Sequence, residues 1–364
     1  MKILFGICTW GLGHATRDLP IIKRLLQEGH SVTIATSGRS LTLLKKEAPE
    51  CEFIDFPDYP APYTKSNLFA LKFTTYLPHF VRLIRREKIR FRKLVDEKKY
   101  DLVISDCRYG FNSKIVPCFF ITHQARFIVP KRVKPLERTL EYFNYTFLKK
   151  FDKIFIPDYE EDNLSGDLSH NLKFYNGKPV EYIGILSAMK EIQTEQDVDY
   201  FISISGPEPQ RTIFENLIMS QLNSLKGAIV VTLGKPEEDF CKEIKTKKSI
   251  VTVYSYLGPE KQQLMFNKAK MVISRSGYTT LMDLAQLGKK ALFVPTAGQT
   301  EQEYLSYFHN KRKTWFSIKQ KKFKLARDIQ IAEQYPGFRK CETEEAIDKL
   351  MKHVDEIAIK SKMF

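Results

Sequence analysis

The sequence predicts an α/β protein built from two doubly wound domains, each with a parallel sheet. Its 364 residues are long for a single core and suit two domains. Strand-like apolar runs alternate with segments of helical spacing from Ile3 to Ala35, and again from Met271 to Val294. A strand, helix and strand of this length form a parallel crossover unit, and ligands bind at the carboxyl ends of such strands. We therefore expect the functional residues in the loops that follow the strands.

The charge and the cysteines restrict the partners and the compartment. A formal net charge of +15 indicates an anionic partner, either a nucleotide diphosphate, an anionic lipid or a nucleic acid. The six cysteines show no spacing typical of a metal site, and they indicate free thiols in a reducing cytosol. No apolar run reaches the length of a membrane span. We predict a cytoplasmic protein and leave contact with the inner face of the membrane open.

A glycine-rich turn follows the first predicted strand, Ile3–Cys8, and a helix is expected after His14. Gly11 and Gly13 match a dinucleotide-binding loop, but Thr16 stands where the third glycine of that fingerprint belongs. The second strand also ends without the acidic residue that would hold an adenosine ribose. The turn therefore argues against a nicotinamide, and we predict that the protein uses no cofactor.

A histidine and an aspartate are the candidates for acid–base catalysis. His14 ends the glycine-rich turn, and histidine is the commonest base near neutral pH. Asp106 ends another predicted strand, so it should lie on the same edge of the sheet and orient His14. Arg17, one helical turn after His14, is expected to support an anionic group, and His123 ends the next strand on this edge. A role for His14 as a helix cap or a phosphate ligand is an equal alternative.

A second set of candidates follows strands in the carboxyl-terminal half. Ser276 and Gly277 open a predicted helix whose backbone N–H groups can hold a phosphate. Asp283, nearly two turns further along this helix, is placed to reach ribose hydroxyls. Glu301 and Gln302 follow the next strand, where they can bind sugar hydroxyls. In this order, the set predicts a site for a phosphate flanked by sugars.

Arg211 is the candidate cation of the second site. It follows the predicted strand Tyr200–Ser205 and lies where a helix begins. A fixed cation at a helix N-terminus neutralises the negative charge that develops on a leaving diphosphate. The alternative is an arginine exposed at the surface without a ligand.

The segments SRSG, TTLMDL and FVPTAGQTEQEYL, within Met271–Leu305, resemble the nucleotide-sugar-binding half of GT-B glycosyltransferases. The nearest likeness is to the MurG-like group, which transfers N-acetylglucosamine to a lipid-linked acceptor. The segment GLGHATR resembles the first loop of the N-terminal GT-B domain, which faces the acceptor and the donor phosphates. The resemblance places Leu257 where the backbone of the family reads the nucleobase, and it implies a UDP-linked donor.

The resemblance also implies the GT-B architecture, in which two Rossmann-like domains face one cleft. Residues 1–187 would form the acceptor-side domain and residues 188–342 the nucleotide-sugar domain, while residues 343–364 would form a final helix that packs back on the first. Inversion at the anomeric carbon is implied as well. We expect no metal, because no DxD-type pair stands at a strand end, and helix N–H groups with Arg211 can stabilise leaving UDP.

Two other functions and one other surface compete with this interpretation. A nucleotide-sugar 2-epimerase shares the fold, although the cleft carboxylates that it needs cannot be placed. A nucleic-acid-binding protein would explain the charge, but the basic residues accompany no known module. The segment from Asn67 to Lys98 interleaves aromatic and basic residues, which suits an anionic membrane. A core helix with a solvated basic face explains it at least as well.

Overall fold

The computed structural model describes residues 1–59, 69–177, 179–246 and 248–362, with the backbone alone for residues 69–76 and residue 362. The chain divides into two units. Unit 1 contains Met1–Ala188 and Glu342–Phe364, and unit 2 contains Met189–Cys341. In the part of the chain that is described, no helix is both long and apolar enough to cross a bilayer.

The amino-terminal part of unit 1 alternates strands and helices, as its apolar periodicity predicts. Its elements are β1 (Lys2–Ile7), α1 (Leu12–Gln27), β2 (Ser31–Thr36), α2 (Gly38–Glu47), β3 (Glu52–Asp55), α3 (Phe69–Lys98), β4 (Leu102–Asp106), β5 (Cys118–Ile121), α4 (Lys134–Leu148), β6 (Lys153–Ile156) and β7 (Val180–Tyr182).

These strands form one parallel sheet in the order β3-β2-β1-β4-β5-β6-β7. The order in which strands are added to the sheet reverses at β1: β2 and β3 lie on one side of it, and β4 to β7 lie on the other. The last residues of β1 and β4, Ile7 and Asp106, are paired. In a doubly wound sheet this switch point opens the crevice in which ligands bind. Both strands are buried throughout their central residues, so their carboxyl ends are rigid supports for the loops that follow.

The start of α1 differs from the sequence-based expectation. The helix begins at Leu12, so Gly13 and His14 lie in its first turn and not in the preceding loop. Gly11 precedes the helix in an extended conformation, with φ 172°. The expectation was wrong by three residues because a glycine pair suggests a turn, whereas Leu12, Gly13 and His14 already belong to the helix.

Helix α3 packs its apolar side into the core of unit 1. Phe80, Ile84, Phe91 and Val95 are buried at helical spacing, while most basic residues between them are exposed. This arrangement fits the core-helix interpretation and leaves the basic face accessible. Asn67 and Leu68, the start of the aromatic–basic segment, lie outside the described residues.

Unit 2 repeats the same alternation. Its elements are β8 (Val198–Ser203), α5 (Gln210–Met219), β9 (Gly227–Thr232), β10 (Cys241–Lys245), β11 (Ser249–Tyr254), α6 (Pro259–Lys268), β12 (Ala269–Ser274), α7 (Tyr278–Leu287), β13 (Lys290–Phe293), α8 (Thr300–Lys311), β14 (Phe316–Ser317) and α9 (Leu325–Ala332).

The sheet of unit 2 has the order β10-β11-β9-β8-β12-β13-β14, and only the edge pair β10–β11 is antiparallel. Its switch point lies between β8 and β12. The loop after β8 leads into α5, which carries Arg211. The loop after β12 leads into α7, which begins directly after Gly277. The topology therefore places two of the predicted donor positions at one crevice of this sheet.

The final helix, α10 (Thr343–Lys362), packs on unit 1. The backbone N–H of Ser187 donates to Thr343 Oγ1 at 2.9 Å. Asp348 Oδ1 lies 3.2 Å from Arg24 Nη2 on α1, and His353 Nε2 lies 2.7 Å from Glu181 Oε2 on β7. Buried Ala346, Leu350 and Val354 supply the apolar side of the contact.

Candidate active site

The switch point of unit 1 brings together His14 and Asp106, which are 92 positions apart in the chain. His14 Nδ1 lies 2.8 Å from Asp106 Oδ2. The carboxylate is fully buried, and the imidazole keeps 16% of its side-chain surface exposed. An ionised carboxylate can only accept a hydrogen bond, so Nδ1 carries the proton and Nε2 is the basic atom. Nε2 has no hydrogen-bond partner among the described residues.

Arg17 lies within this site and not on its surface. Only 1% of its surface is exposed. Its Nε donates to Asp106 Oδ2 at 3.0 Å, and its Nη2 donates to Asp106 Oδ1. Its Nη1 lies 2.9 Å from His123 Nδ1. The anionic group that Arg17 supports in the structure is therefore Asp106, inside the protein; contact of Arg17 with an acceptor or a phosphate stays a prediction.

The arginine fixes the charge state of its neighbours. Burial opposes the ionised form of Asp106, but the positive charge of Arg17 and the hydrogen bonds from Arg17 and His14 outweigh it and hold the pKa of that carboxyl well below its usual range. A guanidinium can only donate, so His123 Nδ1 must accept the bond from Arg17. The proton of a neutral His123 ring is consequently on Nε2, and one arginine connects the two histidines of this edge through Asp106.

Asp18 is a buried acid that sequence reasoning missed. Both carboxyl oxygens are buried and have no hydrogen-bond partner among the described residues. Burial and the nearby charge of Asp106 raise the pKa of Asp18 well above its usual value. The pKa values of two neighbouring buried carboxyl groups are thus shifted in opposite directions, that of Asp18 upward and that of Asp106 downward. The signal available in the sequence was an acidic residue on the apolar face of an amphipathic helix.

Three side chains on the same edge of the sheet could ligate a metal ion, but the charge of Arg17 beside them disfavours a bound cation. Donor atoms of His14, Asp106 and Cys107 lie within 4.8 Å of one another. Arg17 already occupies the carboxylate, and a divalent cation would be repelled by it. Burial raises the pKa of the Cys107 thiol, whereas a metal needs a thiolate. The three donors therefore suit a hydrogen-bonded acid–base pair better than an ion.

The loop before His14 is held by a buried polar network. The Thr9 N–H donates to Asp58 Oδ2 at 2.5 Å, and the Trp10 indole N–H donates to the Tyr59 carbonyl at 2.9 Å. Arg108 is fully buried and contacts two carboxylates. Its Nη1 lies 3.6 Å from Asp58 Oδ2, and its Nε lies 2.5 Å from Glu87 Oε1 on α3. Three chain segments thereby fix the entry of α1. Gly11 in this loop is exposed, and Gly13 is half-buried.

In unit 2 the start of α7 has the features expected for a phosphate site. The helix begins at Tyr278, directly after Gly277. A Cβ added at Gly277 would come no nearer than 3.9 Å to Thr280 Oγ1, so space beside the helix start is open within this unit. The Ser276 hydroxyl is fully buried; it donates to the Gln302 carbonyl at 3.0 Å and accepts from Ser306 at 2.9 Å. Ser276 can therefore offer a ligand its backbone, not its hydroxyl.

The other donor candidates differ in how accessible they are. Asp283 on α7 and Glu301 in the first turn of α8 are half-buried. Gln302 is buried, and its Oε1 accepts the Thr296 N–H at 2.9 Å, which leaves Nε2 as its donor for a ligand. Leu257 is buried before α6, so its side chain packs inward and only its backbone can be read.

Arg211 is at the second position of α5, but carboxylates already surround its guanidinium. It donates to Glu208 at 2.8 Å, to Glu237 at 2.9 Å and to the Gly234 carbonyl at 2.6 Å. Both carboxylates are largely exposed. A diphosphate would have to displace at least one of them in order to reach Arg211.

Arg275 is the cation that sequence reasoning passed over. It follows β12, is buried, and its guanidinium is 4.1 Å from the Phe214 ring centroid. It donates to three carbonyls, those of Val294 (2.9 Å), Pro295 (3.2 Å) and Gln210 (2.9 Å). Burial lowers the pKa of Arg275 to about 10. Arg275 therefore joins the ends of β12 and β13 to the start of α5, and no carboxylate pairs with it in the part of the chain that is described.

Comparison with known proteins finds similarity in both halves of the chain. Residues 210–335 match the profile of the glycosyltransferase family 28 C-terminal domain, and residues 1–113 match that of glycosyl transferase family 1. An uncharacterized glycosyltransferase of Methanosarcina mazei is 26% identical over 319 residues, covering 83% of this chain and 82% of the relative. One from Methanosarcina acetivorans is 24% identical over 338 residues, with the same coverage.

Solved structures show the same fold at low sequence identity. The glycosyltransferase VinC in complex with dTDP has a TM-score of 0.63 at 10% identity, over 99% of this chain and 100% of that one. The glycotransferase of kitacinnamycin also has a TM-score of 0.63, at 12% identity, over 98% and 95%. MurG of Acinetobacter baumannii has a TM-score of 0.56 at 14% identity, over 95% and 93%.

The chain is therefore an enzyme of the glycosyltransferase class with the GT-B fold. The resemblance drawn from the segments around Ser276 is confirmed by the family 28 match over residues 210–335, and the MurG structure shares the fold. The relatives found are named as glycosyltransferases, so the 2-epimerase alternative gains no support.

Proposed function

We propose that this enzyme transfers a hexose or N-acetylhexosamine from a nucleotide sugar to an acceptor hydroxyl, with inversion at the anomeric carbon. The observation that carries the proposal is the bond between His14 Nδ1 and Asp106 Oδ2. It presents Nε2 of His14 as a base on an edge where the acceptor is expected. A histidine oriented by a buried carboxylate is a recurrent device for removing a proton from a hydroxyl.

The reaction is a single displacement. His14 Nε2 takes the proton of the acceptor hydroxyl while the oxygen forms its bond to the anomeric carbon. The bond between that carbon and the diphosphate oxygen breaks, and the nucleoside diphosphate leaves with the electron pair. Asp106 stabilises the imidazolium that results. One displacement inverts the configuration of the carbon.

Unit 2 would hold the donor. The N-terminus of α7 after Gly277 supplies backbone N–H groups for the diphosphate. Asp283 would bind the ribose, Glu301 and Gln302 the sugar, and the backbone at Leu257 the base. UDP is the favoured nucleotide because of the MurG-like resemblance, and the dTDP bound to VinC makes dTDP the first alternative.

The leaving group would be stabilised by the protein alone. Helix N–H groups and a cation can neutralise a leaving diphosphate without a metal. Arg211 is the proposed cation, and Arg275 adds buried positive charge behind it. On this basis the enzyme works without metal or cofactor.

The acceptor is expected to be anionic or lipid-linked, and the enzyme to work in the cytoplasm at the inner face of the membrane. The net charge of +15 and the MurG-like resemblance support an acidic acceptor. Gly11, Gly13 and His123 would line its approach to His14. A nucleic acid is not the proposed partner, because a nucleic-acid-binding role would explain the net positive charge but would leave the candidate nucleotide-sugar residues of unit 2 without a function.

Thermal unfolding with UDP-, dTDP- and GDP-sugars tests the donor. A ligand that binds only the folded protein raises its melting temperature, by an amount that grows with concentration over Kd. We expect the largest rise with a UDP-sugar and none with free sugar. A preference for dTDP would change the base assignment, and no rise with any nucleotide sugar would contradict the proposal. Addition of an excess of the chelator EDTA should leave the rise unchanged.

A further inference from the structure

Asp18 on α1 is a buried acid that the proposed reaction does not use. None of its surface is exposed. It follows His14 by four positions and Arg17 by one, so His14 and Asp18 share one face of the helix. His14 and Arg17 both contact Asp106, and the charge of Asp106 also acts on Asp18. The acid therefore belongs to the group of side chains that α1 presents to Asp106.

The surroundings of the Asp18 carboxyl suit a neutral acid better than an anion. No described residue donates a hydrogen bond to either of its oxygens. An ionised carboxylate has about four acceptor sites, and it is costly to bury them without donors. A protonated carboxyl group carries no charge, and its O–H group needs only one acceptor.

Asp106 has an acceptor site left for that O–H group. Its Oδ2 accepts from His14 Nδ1 and from Arg17 Nε, and its Oδ1 accepts from Arg17 Nη2. In the part of the chain that is described, one site of Oδ1 remains. Asp18 is close enough to bond to Asp106 when one of the two carries a proton. Two carboxylates can only accept, so this proton makes the contact favourable.

The charges around the two carboxyl groups place the proton on Asp18. Arg17 donates to Asp106 on two sides, and its charge acts on Asp18 less than burial and the charge of Asp106 do. His123 accepts from Arg17 and adds no charge. Burial raises the pKa of the Cys107 thiol, which is therefore neutral as well. The pKa of Asp18 is raised and that of Asp106 is lowered, in agreement with the hydrogen bonds.

Charged groups on the other elements that pack against α1 do not change this balance. Glu344 and Asp348 of α10 pair with Arg24, six positions after Asp18. The charges that act on Asp18 come from Asp106 on β4 and from Arg17 on its own helix, and not from α2 or α10.

We propose that Asp18 is a positioning residue for His14: as a neutral acid it donates to Asp106 and keeps a second negative charge out of the site. Arg17 and Asp106 then balance each other, and His14 stays a neutral base. With Asp18 ionised, two carboxylates would face one guanidinium, and His14 would bind a proton before an acceptor arrives. This role rests on the proposed function, in which His14 Nε2 removes the acceptor proton.

Titration of His14 by NMR, on the full chain without donor or acceptor, tests the proposal. The ring signals of His14 are assigned by their loss in His14→Ala. Asp18→Asn is neutral and keeps an N–H donor, so we expect the same midpoint of the His14 titration as in wild type. If Asp18 were ionised, its replacement would remove a negative charge and lower the midpoint by about one pH unit or more. That result would overturn the proposal.

Two controls show what the titration detects. Asp106→Asn removes a carboxylate that contacts His14, and it should lower the midpoint by about one pH unit or more. Glu28→Gln removes an exposed acid of the same helix, and it should leave the midpoint unchanged. An Asp18→Asn variant that titrates like Asp106→Asn contradicts the proposal, and one that titrates like Glu28→Gln supports it.

Infrared spectroscopy observes the proton itself. A protonated carboxyl group has a carbonyl stretch that a carboxylate lacks, so this band should appear in the difference spectrum between wild type and Asp18→Asn at neutral pH. Glu87, a second buried acid with a raised pKa, is present in both proteins and cancels. A difference spectrum with carboxylate bands in place of the acid band would show an ionised Asp18 and overturn the proposal.

A pair of substitutions separates the hydrogen bond from packing. Asp18→Leu fills the space without a donor, whereas Asp18→Asn keeps one. We expect kcat to fall about tenfold in Asp18→Leu and to be largely recovered in Asp18→Asn, with the KM for the donor unchanged in both. Equal kcat values in the two variants would show that the donated bond does not matter, and the proposal would be wrong.

The readouts distinguish this proposal from the transferase proposal. The titration and the infrared spectrum need no substrate, so they decide the state of Asp18 even if no sugar transfer is found. Circular dichroism shows whether each variant is folded, and the UDP-sugar thermal shift reports separately on unit 2.

Discussion

Arg17 Nη1 lies 2.9 Å from His123 Nδ1, and the chemistry of the two groups fixes the direction of that hydrogen bond. The guanidinium donates, so the histidine accepts. The same guanidinium donates twice to Asp106, which in turn accepts from His14. Two histidines on one edge of the sheet are thus given different roles by one arginine and one carboxylate. His14 is left with a basic Nε2, and His123 with its proton on Nε2.

His14→Ala should abolish most turnover while leaving the donor site intact. Loss of a general base typically costs about 10²- to 10⁴-fold in rate. The UDP-sugar thermal shift should persist, because the donor candidates are in unit 2. If His14 were only a helix-terminal residue, the substitution would cost about 1 kcal/mol of stability and little rate. Sugar transfer at a near wild-type rate would end the base assignment, and His123 would be the next candidate.

Asp106→Asn should reduce turnover less than His14→Ala but destabilise the fold more. The imidazole remains, although an amide can hold it in the wrong tautomer. Arg17, however, would remain buried and would lose the carboxylate that neutralises its charge. Breaking one side of a buried ion pair costs about 3–5 kcal/mol. Urea denaturation of both variants measures this difference, and equal stabilities would show that Arg17 is solvated in solution.

Arg17→Gln should change how stability depends on pH in acid. Arg17 and His14 hold the pKa of Asp106 well below its usual range despite burial. A depressed carboxyl pKa contributes stability that is present above the unfolded pKa of about 3.9 and is lost as pH falls through the folded pKa. Without Arg17 this contribution shrinks, so the variant should lose less of its stability between pH 4 and pH 2 than wild type does. Equal losses of stability between pH 4 and pH 2 in the variant and in wild type would contradict the conclusion that Arg17 lowers the pKa of Asp106.

The sequence could predict the edge of the sheet but not the contacts within it. His14 and Asp106 were expected to meet because carboxyl ends of parallel strands share an edge, and alternation of apolar runs is enough to find those ends. The burial of Arg17 and Asp18 depends on residues about 90 positions away, and no local pattern records it. Arg275 was overlooked for the same reason, since three carbonyls and a ring from distant segments enclose it.

Arg211→Ala and Glu237→Gln form a pair that tests the donor cation. If Arg211 binds the diphosphate, Arg211→Ala should remove most of the thermal shift caused by UDP. Glu237→Gln removes a carboxylate 2.9 Å from the guanidinium, so it should strengthen UDP binding by a few-fold. A shift that neither substitution alters would exclude Arg211 from the site and leave the α7 N-terminus as the main phosphate contact.

Arg275→Lys should weaken both the fold and the donor site. A lysine keeps the charge but cannot replace the planar fork that reaches three carbonyls. Buried carbonyls left without donors cost about 1–3 kcal/mol each before relaxation. Because those carbonyls belong to the ends of β13 and the start of α5, the KM for the donor should rise more than kcat falls. The control is Arg339→Lys, an exposed arginine of the same unit, which should change neither.

Glu87→Gln should remove a dependence of stability on pH between pH 5 and pH 7. Burial raises the pKa of Glu87 from an ordinary 4.5 to about 7; Arg108 lowers it and Asp58 raises it. A raised carboxyl pKa means that the folded state holds a proton which the unfolded state has lost, so stability falls as pH rises through this window. The full effect corresponds to about 3 kcal/mol. Urea denaturation at pH 5 and pH 8 should therefore show wild type losing stability relative to Glu87→Gln.

Glu87 also accepts hydrogen bonds from the Tyr59 hydroxyl and from the Gly110 N–H, next to the segment that fixes Thr9 and Trp10. A difference in stability that is the same at both pH values would show that Glu87 stays ionised throughout, held so by Arg108.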